Sequence, residues 1–142
     1  ALPQAAAPVA TYVAAVQTGN MLVISGQLPL VEGKLKATGK LGAAISPELG
    51  KECARLCLLN GLAQVQAAIG DLGRVKRVVR LGGFMACTPD FMQHAAVMNG
   101  ASDLAVAVAV FGDAGRHARS TVGVPSLPLD APVEVEALFE IG

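Results

Sequence analysis

The stretch Val133-Glu134-Val135-Glu136-Ala137-Leu138-Phe139-Glu140-Ile141 decides the fold class. Its odd positions, Val133, Val135, Ala137, Phe139 and Ile141, are all apolar. Glu134, Glu136 and Glu140 fall between them. Side chains of a β-strand alternate between faces, so this period of two predicts a strand with one buried and one more polar side. A sheet of that kind needs a second layer on its apolar face.

The second layer is found upstream. Ser46-Pro47-Glu48 combines an N-cap hydroxyl, a proline at the first helical position and an acid in the first turn. Leu58, Leu62, Val65 and Ile69 then recur at helical spacing, and Gly70 ends the run. Thr88-Pro89-Asp90 repeats the capping pattern and predicts a second helix running towards Gly112. Within it, Ala105 to Val110 alternates with period two, a strand-like feature inside a helical expectation.

The remaining segments read as strands. Ala10 to Val16 alternates, Gly19-Asn20 signals a turn, and Met21 to Ser25 is continuously suited to a strand, which together predict a hairpin. Val31 to Lys36 adds a short third strand around Gly33. Val75 to Ala86 is rich in valine, with a bulge expected at Gly82-Gly83, and Ala118 to Val124 precedes Pro125. The predicted order is β-β-(β)-α-β-α-β-β in a single domain over 1–142. It is an α/β (α+β) chain with both helices on one face of a mixed sheet.

Composition limits the partners. Eleven basic residues balance eleven acidic ones, so no net field draws in nucleic acid or an anionic membrane. Five aromatic residues and no tryptophan make a poor base-stacking platform. Over half the residues are hydrophobic, spread as Ala and Val, which leaves apolar surface for self-association. No stretch is apolar for long enough to span a bilayer, and the first residues lack the pattern of a signal peptide. Cys53, Cys57 and Cys87 form an odd set without metal-ligand spacing. They read as reduced thiols acting as small hydrophobes in a cytoplasmic protein.

Few residues offer chemistry. The chain has two histidines, His94 and His117, no Gly-x-Ser-x-Gly elbow and no phosphate-binding loop. Arg119 stands in an otherwise small and apolar strand, Ala118-Arg119-Ser120-Thr121-Val122-Gly123-Val124. A guanidinium is a rigid fork that matches a carboxylate in two parallel hydrogen bonds. Either it anchors a small anionic substrate, or it pairs with Glu134 or Glu136 across the sheet. Glu136, on the polar side of the last strand, can place a water or shuttle a proton, or it is simply solvated there beside Glu134 and Glu140. Tyr12, the only tyrosine, is a ligand donor or a packed aromatic.

Three stretches, taken in order, resemble the RidA/YjgF family, also called endoribonuclease L-PSP-like. They are Tyr12-Val13 leading to Ser25-Gly26-Gln27-Leu28-Pro29, then Ala118-Arg119-Ser120, then Val133-Glu134-Val135-Glu136-Ala137. The resemblance covers nearly the whole chain. It implies a chorismate-mutase-like fold, a homotrimer with clefts between subunits, and hydrolysis of 2-enamino and 2-imino acids to a 2-keto acid and ammonia. It implies no cofactor and no metal. Carried over, Arg119 is the carboxylate-binding residue and Glu136 the acid near the water. Tyr12, Ser25, Gly26 and Asn99 are pocket residues. Thr121 occupies the position of a family cysteine. The approach Gly112-Asp113-Ala114-Gly115-Arg116-His117 departs from the family's Phe-Pro-Ala-Arg. These departures mark a divergent branch.

The expected activity is therefore an imine deaminase acting on a small carboxylate-bearing substrate. The alternatives are a non-catalytic binder or sensor of small carboxylates, and an endoribonuclease-like activity.

Overall fold

The computed structural model describes residues 2–8, 10–107 and 110–142. Five strands form one sheet. They are β1 (Ala15–Thr18), β2 (Met21–Gln27), β5 (Val75–Ala86), β6 (Ala118–Val124) and β7 (Val133–Ile141), in spatial order β1-β2-β7-β5-β6. β3 (Leu30–Val31) and β4 (Lys34–Leu35) make a separate small hairpin. All pairings in the large sheet are antiparallel except β5 with β6, which run parallel. The sheet is mixed.

β7 alternates buried and half-buried along its whole length, as its sequence predicts. Its buried residues meet Leu22 and Ile24 of β2 and Leu81 and Met85 of β5 in one apolar core. Helices α1 (Pro47–Ile69) and α2 (His94–Val106) supply the other side of that core through Leu58, Leu62, Val97 and Met98. Both helices cover the same face of the sheet. The fold is α+β, two helices on one face of a mixed sheet, as expected.

Helix α1 begins and ends as its sequence requires. Ser46 Oγ accepts a hydrogen bond from the Leu49 backbone N–H at 3.1 Å, and Gly70 closes the helix at φ 84°. Asn60, buried on this helix, donates to the Leu28 and Leu30 carbonyls at 2.9 and 3.0 Å. These bonds tie α1 to the segment that follows β2.

Five expectations need correction. The first strand starts at Ala15 rather than Ala10, and residues 10–14 form bends that lead into it. The stretch 31–36 is not one strand but the two arms of the β3–β4 hairpin. Glu32 and Gly33 turn it with φ of 51° and 81°. Gly82-Gly83 is not a bulge, because both residues keep register with β7 and β6; the irregularities in β5 lie between Val75 and Arg77 and between Val78 and Arg80. Finally, α2 starts at His94, not at Pro89. The Thr88 hydroxyl donates to Asp90 Oδ1 at 2.6 Å, and the Phe91 N–H bonds the Thr88 carbonyl, so residues 88–91 form a turn. The helix begins only beyond that turn, and Gln93 at its N-cap makes no side-chain capping bond. At its other end α2 stops at Val106, capped by Ala107. Val108 and Ala109, in the stretch of alternating period, lie outside the described residues.

Candidate functional site

Arg119 lies on β6, an edge strand, and points to the side covered by α2. Ala95, Asn99 and Ser102 sit at positions i, i+4 and i+7 of that helix and therefore share one stripe. All three bond the guanidinium. Nη1 donates to Asn99 Oδ1 at 2.8 Å and to Ser102 Oγ at 3.0 Å, and Nη2 donates to the Ala95 carbonyl at 3.2 Å. A guanidinium has five N–H donors. Three are held by protein acceptors, which leaves Nε–H and one Nη2–H. Among the described residues Arg119 makes no ion pair, so the alternative of a Glu134 or Glu136 partner does not hold.

Behind the guanidinium lies a residue that sequence reasoning passed over. His117 Nε2 is 2.8 Å from Ser102 Oγ, and its Nδ1 faces the Gly115 carbonyl. With the Nδ1 proton donated to that carbonyl, Nε2 accepts from the Ser102 hydroxyl, whose oxygen in turn accepts from Arg119. His117 is thus part of the support of Arg119 rather than an isolated histidine. The signal in the sequence was the shared parity of His117 and Arg119 on one strand approach. Thr121 follows Arg119 on the same side and turns its hydroxyl to Met85 Sδ at 3.7 Å.

The other expected residues gather elsewhere. Tyr12, half exposed, and Gly26 line a hollow of about 60 Å³ beside β2. Ser25 Oγ donates to the Val13 carbonyl at 2.8 Å and pins the segment carrying Tyr12 to β2. The space beside Gly26 is taken by Glu134, whose Oε2 lies where a Cβ of that residue would stand. Burial, and secondarily the charge of Glu136, pushes the Glu134 carboxyl above its ordinary value.

Glu136 behaves differently. Its Oε2 accepts from Arg80 Nη1 at 3.2 Å on the sheet face away from the helices. The acid closest to Gly26 is thus Glu134, two residues before the one singled out by motif. Sheet order also separates the groups. β7 and β5 lie between β2 and β6, so three strand spacings, roughly 14 Å, divide Gly26 from Arg119. One chain brings together Arg119, Asn99 and Thr121 at one edge, and Tyr12, Ser25, Gly26 and Glu134 towards the other.

Comparison with known proteins agrees with this architecture. Residues 1–141 match the family described as "YjgF/chorismate mutase-like, putative endoribonuclease". The chain belongs to the RidA/YjgF family. It is 50% identical to Protein TCP17 of Trypanosoma cruzi over 141 residues, 99% of this chain and 87% of that one. The crystal structure of Atu1372 from Agrobacterium tumefaciens, a protein of unknown function, is 45% identical. It overlays with a TM-score of 0.93, covering 99% of this chain and 86% of that one. A Shewanella oneidensis structure described as "a putative endoribonuclease" is 36% identical with a TM-score of 0.95, covering 99% and 92%. No helix among the described residues is long and apolar enough to cross a membrane.

Proposed function

We propose that this RidA/YjgF protein hydrolyses 2-imino and 2-enamino acids to a 2-keto acid and ammonia. The observation that carries the reading is the state of Arg119. Its guanidinium is fixed by two side chains and a carbonyl, lacks an acidic partner among the described residues, and keeps two N–H donors for a ligand. Two parallel donors suit the two oxygens of a carboxylate.

The chemistry asks little more of the protein. An imine carbon is already electrophilic. Water adds to it, its proton passes to the nitrogen, and the resulting carbinolamine expels ammonia as the keto group forms. Arg119 holds the substrate carboxylate, and Glu134 takes and returns the proton. A carboxyl raised by burial is nearer the working range of a general acid–base than a solvated one. Glu136, held by Arg80, keeps the neighbouring charge in place.

Glu134 and Arg119 act on one substrate only if two chains meet. The support for such a meeting is the sheet face without helices, where Val23 and Val122 are 43% and 48% exposed. The family resemblance implies a homotrimer with clefts between subunits.

The test is keto-acid release from imino acids generated in place by an amino-acid oxidase. Wild-type protein accelerates release, and Arg119→Ala loses the equivalent of about 2–5 kcal/mol of transition-state binding. Absence of acceleration on several imino acids overturns the reading. Thermal stabilisation by 2-keto acids through Arg119, without turnover, would assign the same cleft to a binder.

A further inference from the structure

A second group of reactive side chains lies at the far end of β6, apart from Arg119. Cys87 follows the last residue of β5, and His94 opens α2. Cys87 Sγ and His94 Nε2 are 3.6 Å apart, close enough for the thiol to donate to the imidazole. The pair lines a cavity of about 500 Å³ together with Lys40, Phe91, Gly123 and Pro125.

Two neighbours maintain that geometry. Phe91 packs its ring edge-on against His94, with centroids 5.2 Å apart, and fixes the imidazole plane. Gly123 leaves the space open. A Cβ at that position would fall 2.6 Å from Cys87 Sγ and 2.8 Å from His94 Nε2, crowding both reactive atoms. Lys40 is held alongside by the bridge between Leu41 and Cys87, and forms no ion pair among the described residues.

The other two cysteines make the contrast. Cys53 and Cys57 are fully buried, and burial pushes the Cys53 thiol up to about 11 and the Cys57 thiol well above its ordinary value. Those two are packing residues. Cys87 is half-buried and faces a cavity.

We propose that Cys87 and His94 form a site for covalent addition of a small α,β-unsaturated carbonyl compound bearing an anionic group. The thiol proton passes to His94 Nε2 as Cys87 Sγ bonds the β-carbon. The π pair moves to the α-carbon, which takes the proton back from His94. One S–C and one C–H bond replace S–H and the C–C π bond, and no oxidant or reductant is consumed. The apolar walls take the carbon body, and Lys40 attracts the anion.

The experiment treats the assembled protein with trans-4-oxo-2-pentenoate and with its methyl ester, followed by intact mass and peptide mapping. The expected result is one adduct, on Cys87, formed at least tenfold faster than on glutathione at the same pH. Cys53 and Cys57 stay unmodified. His94→Phe keeps a ring against Phe91 and slows addition at least fivefold. Gly123→Ala, which crowds a methyl against both reactive atoms, does the same and decides the question if His94→Phe fails to fold. Lys40→Met slows the carboxylate probe and leaves the ester unchanged. Reaction at the glutathione rate, an adduct elsewhere, or full reactivity in the folded variants overturns the site. Equal effects of Lys40→Met on both probes overturn its anionic preference.

Discussion

Glu134 and Glu136 are two residues apart on one strand, yet their surroundings give them different work. Glu136 is held by Arg80, while Glu134 is pressed against Gly26 and raised mainly by burial. In the folded protein Glu134 keeps its proton to higher pH than it does unfolded. Its stabilisation is therefore complete below the ordinary carboxylate range and is lost as pH rises through the folded value. Glu134→Gln, which mimics the protonated form, should raise the denaturation midpoint at neutral pH and match wild type in acid. A variant less stable than wild type at neutral pH would contradict the assigned cause. Alternation places both acids on one face and cannot separate them. The deciding contact comes from a glycine on another strand, which no local pattern in β7 encodes. Arg119 was legible because a lone cation in an apolar strand is conspicuous. Its support by Ser102 and His117 was not, because it joins residues on α2 to those before β6.

At the scale of elements, what was legible is what local chemistry dictates. Ser46, Pro47 and Gly70 bound α1 because a cap and a left-handed glycine act on their own neighbours. The start of α2 was not legible because a turn closed by the Phe91 N–H on the Thr88 carbonyl comes first, and the N-cap residue Gln93 makes no side-chain capping bond that a pattern could announce. The contact between the two helices depends on Gly100. A Cβ there would collide with the Lys51 backbone carbonyl, which cannot swing aside as a side chain can. Gly100→Ala should cost about 2–3 kcal/mol by overpacking, seen as a fall in Tm of roughly 5–10 °C. A melting curve that overlays wild type would mean that the helices separate easily at that point.

At the scale of the molecule, the proposed reaction depends on two halves of a site carried at different places on the sheet. Arg119→Ala and Glu134→Gln damage opposite halves. When the two inactive variants are dissociated, mixed and reassembled, each interface has one chance in two of an intact Arg119 half and one in two of an intact Glu134 half. About a quarter of wild-type activity should return. If subunits exchange, as mass measurement of mixed assemblies can establish, and no activity returns, the site does not span two chains.

The strand order β1-β2-β7-β5-β6 has a consequence in time as well as in space. β7 is the last of these strands to be synthesised, yet it lies in the middle and pairs with β2 on one side and β5 on the other. Until it leaves the ribosome, the nascent chain holds two unconnected strand pairs, each with a bare edge. Folding of this sheet must wait for its final strand, and that interval is when the chain has most need of a chaperone.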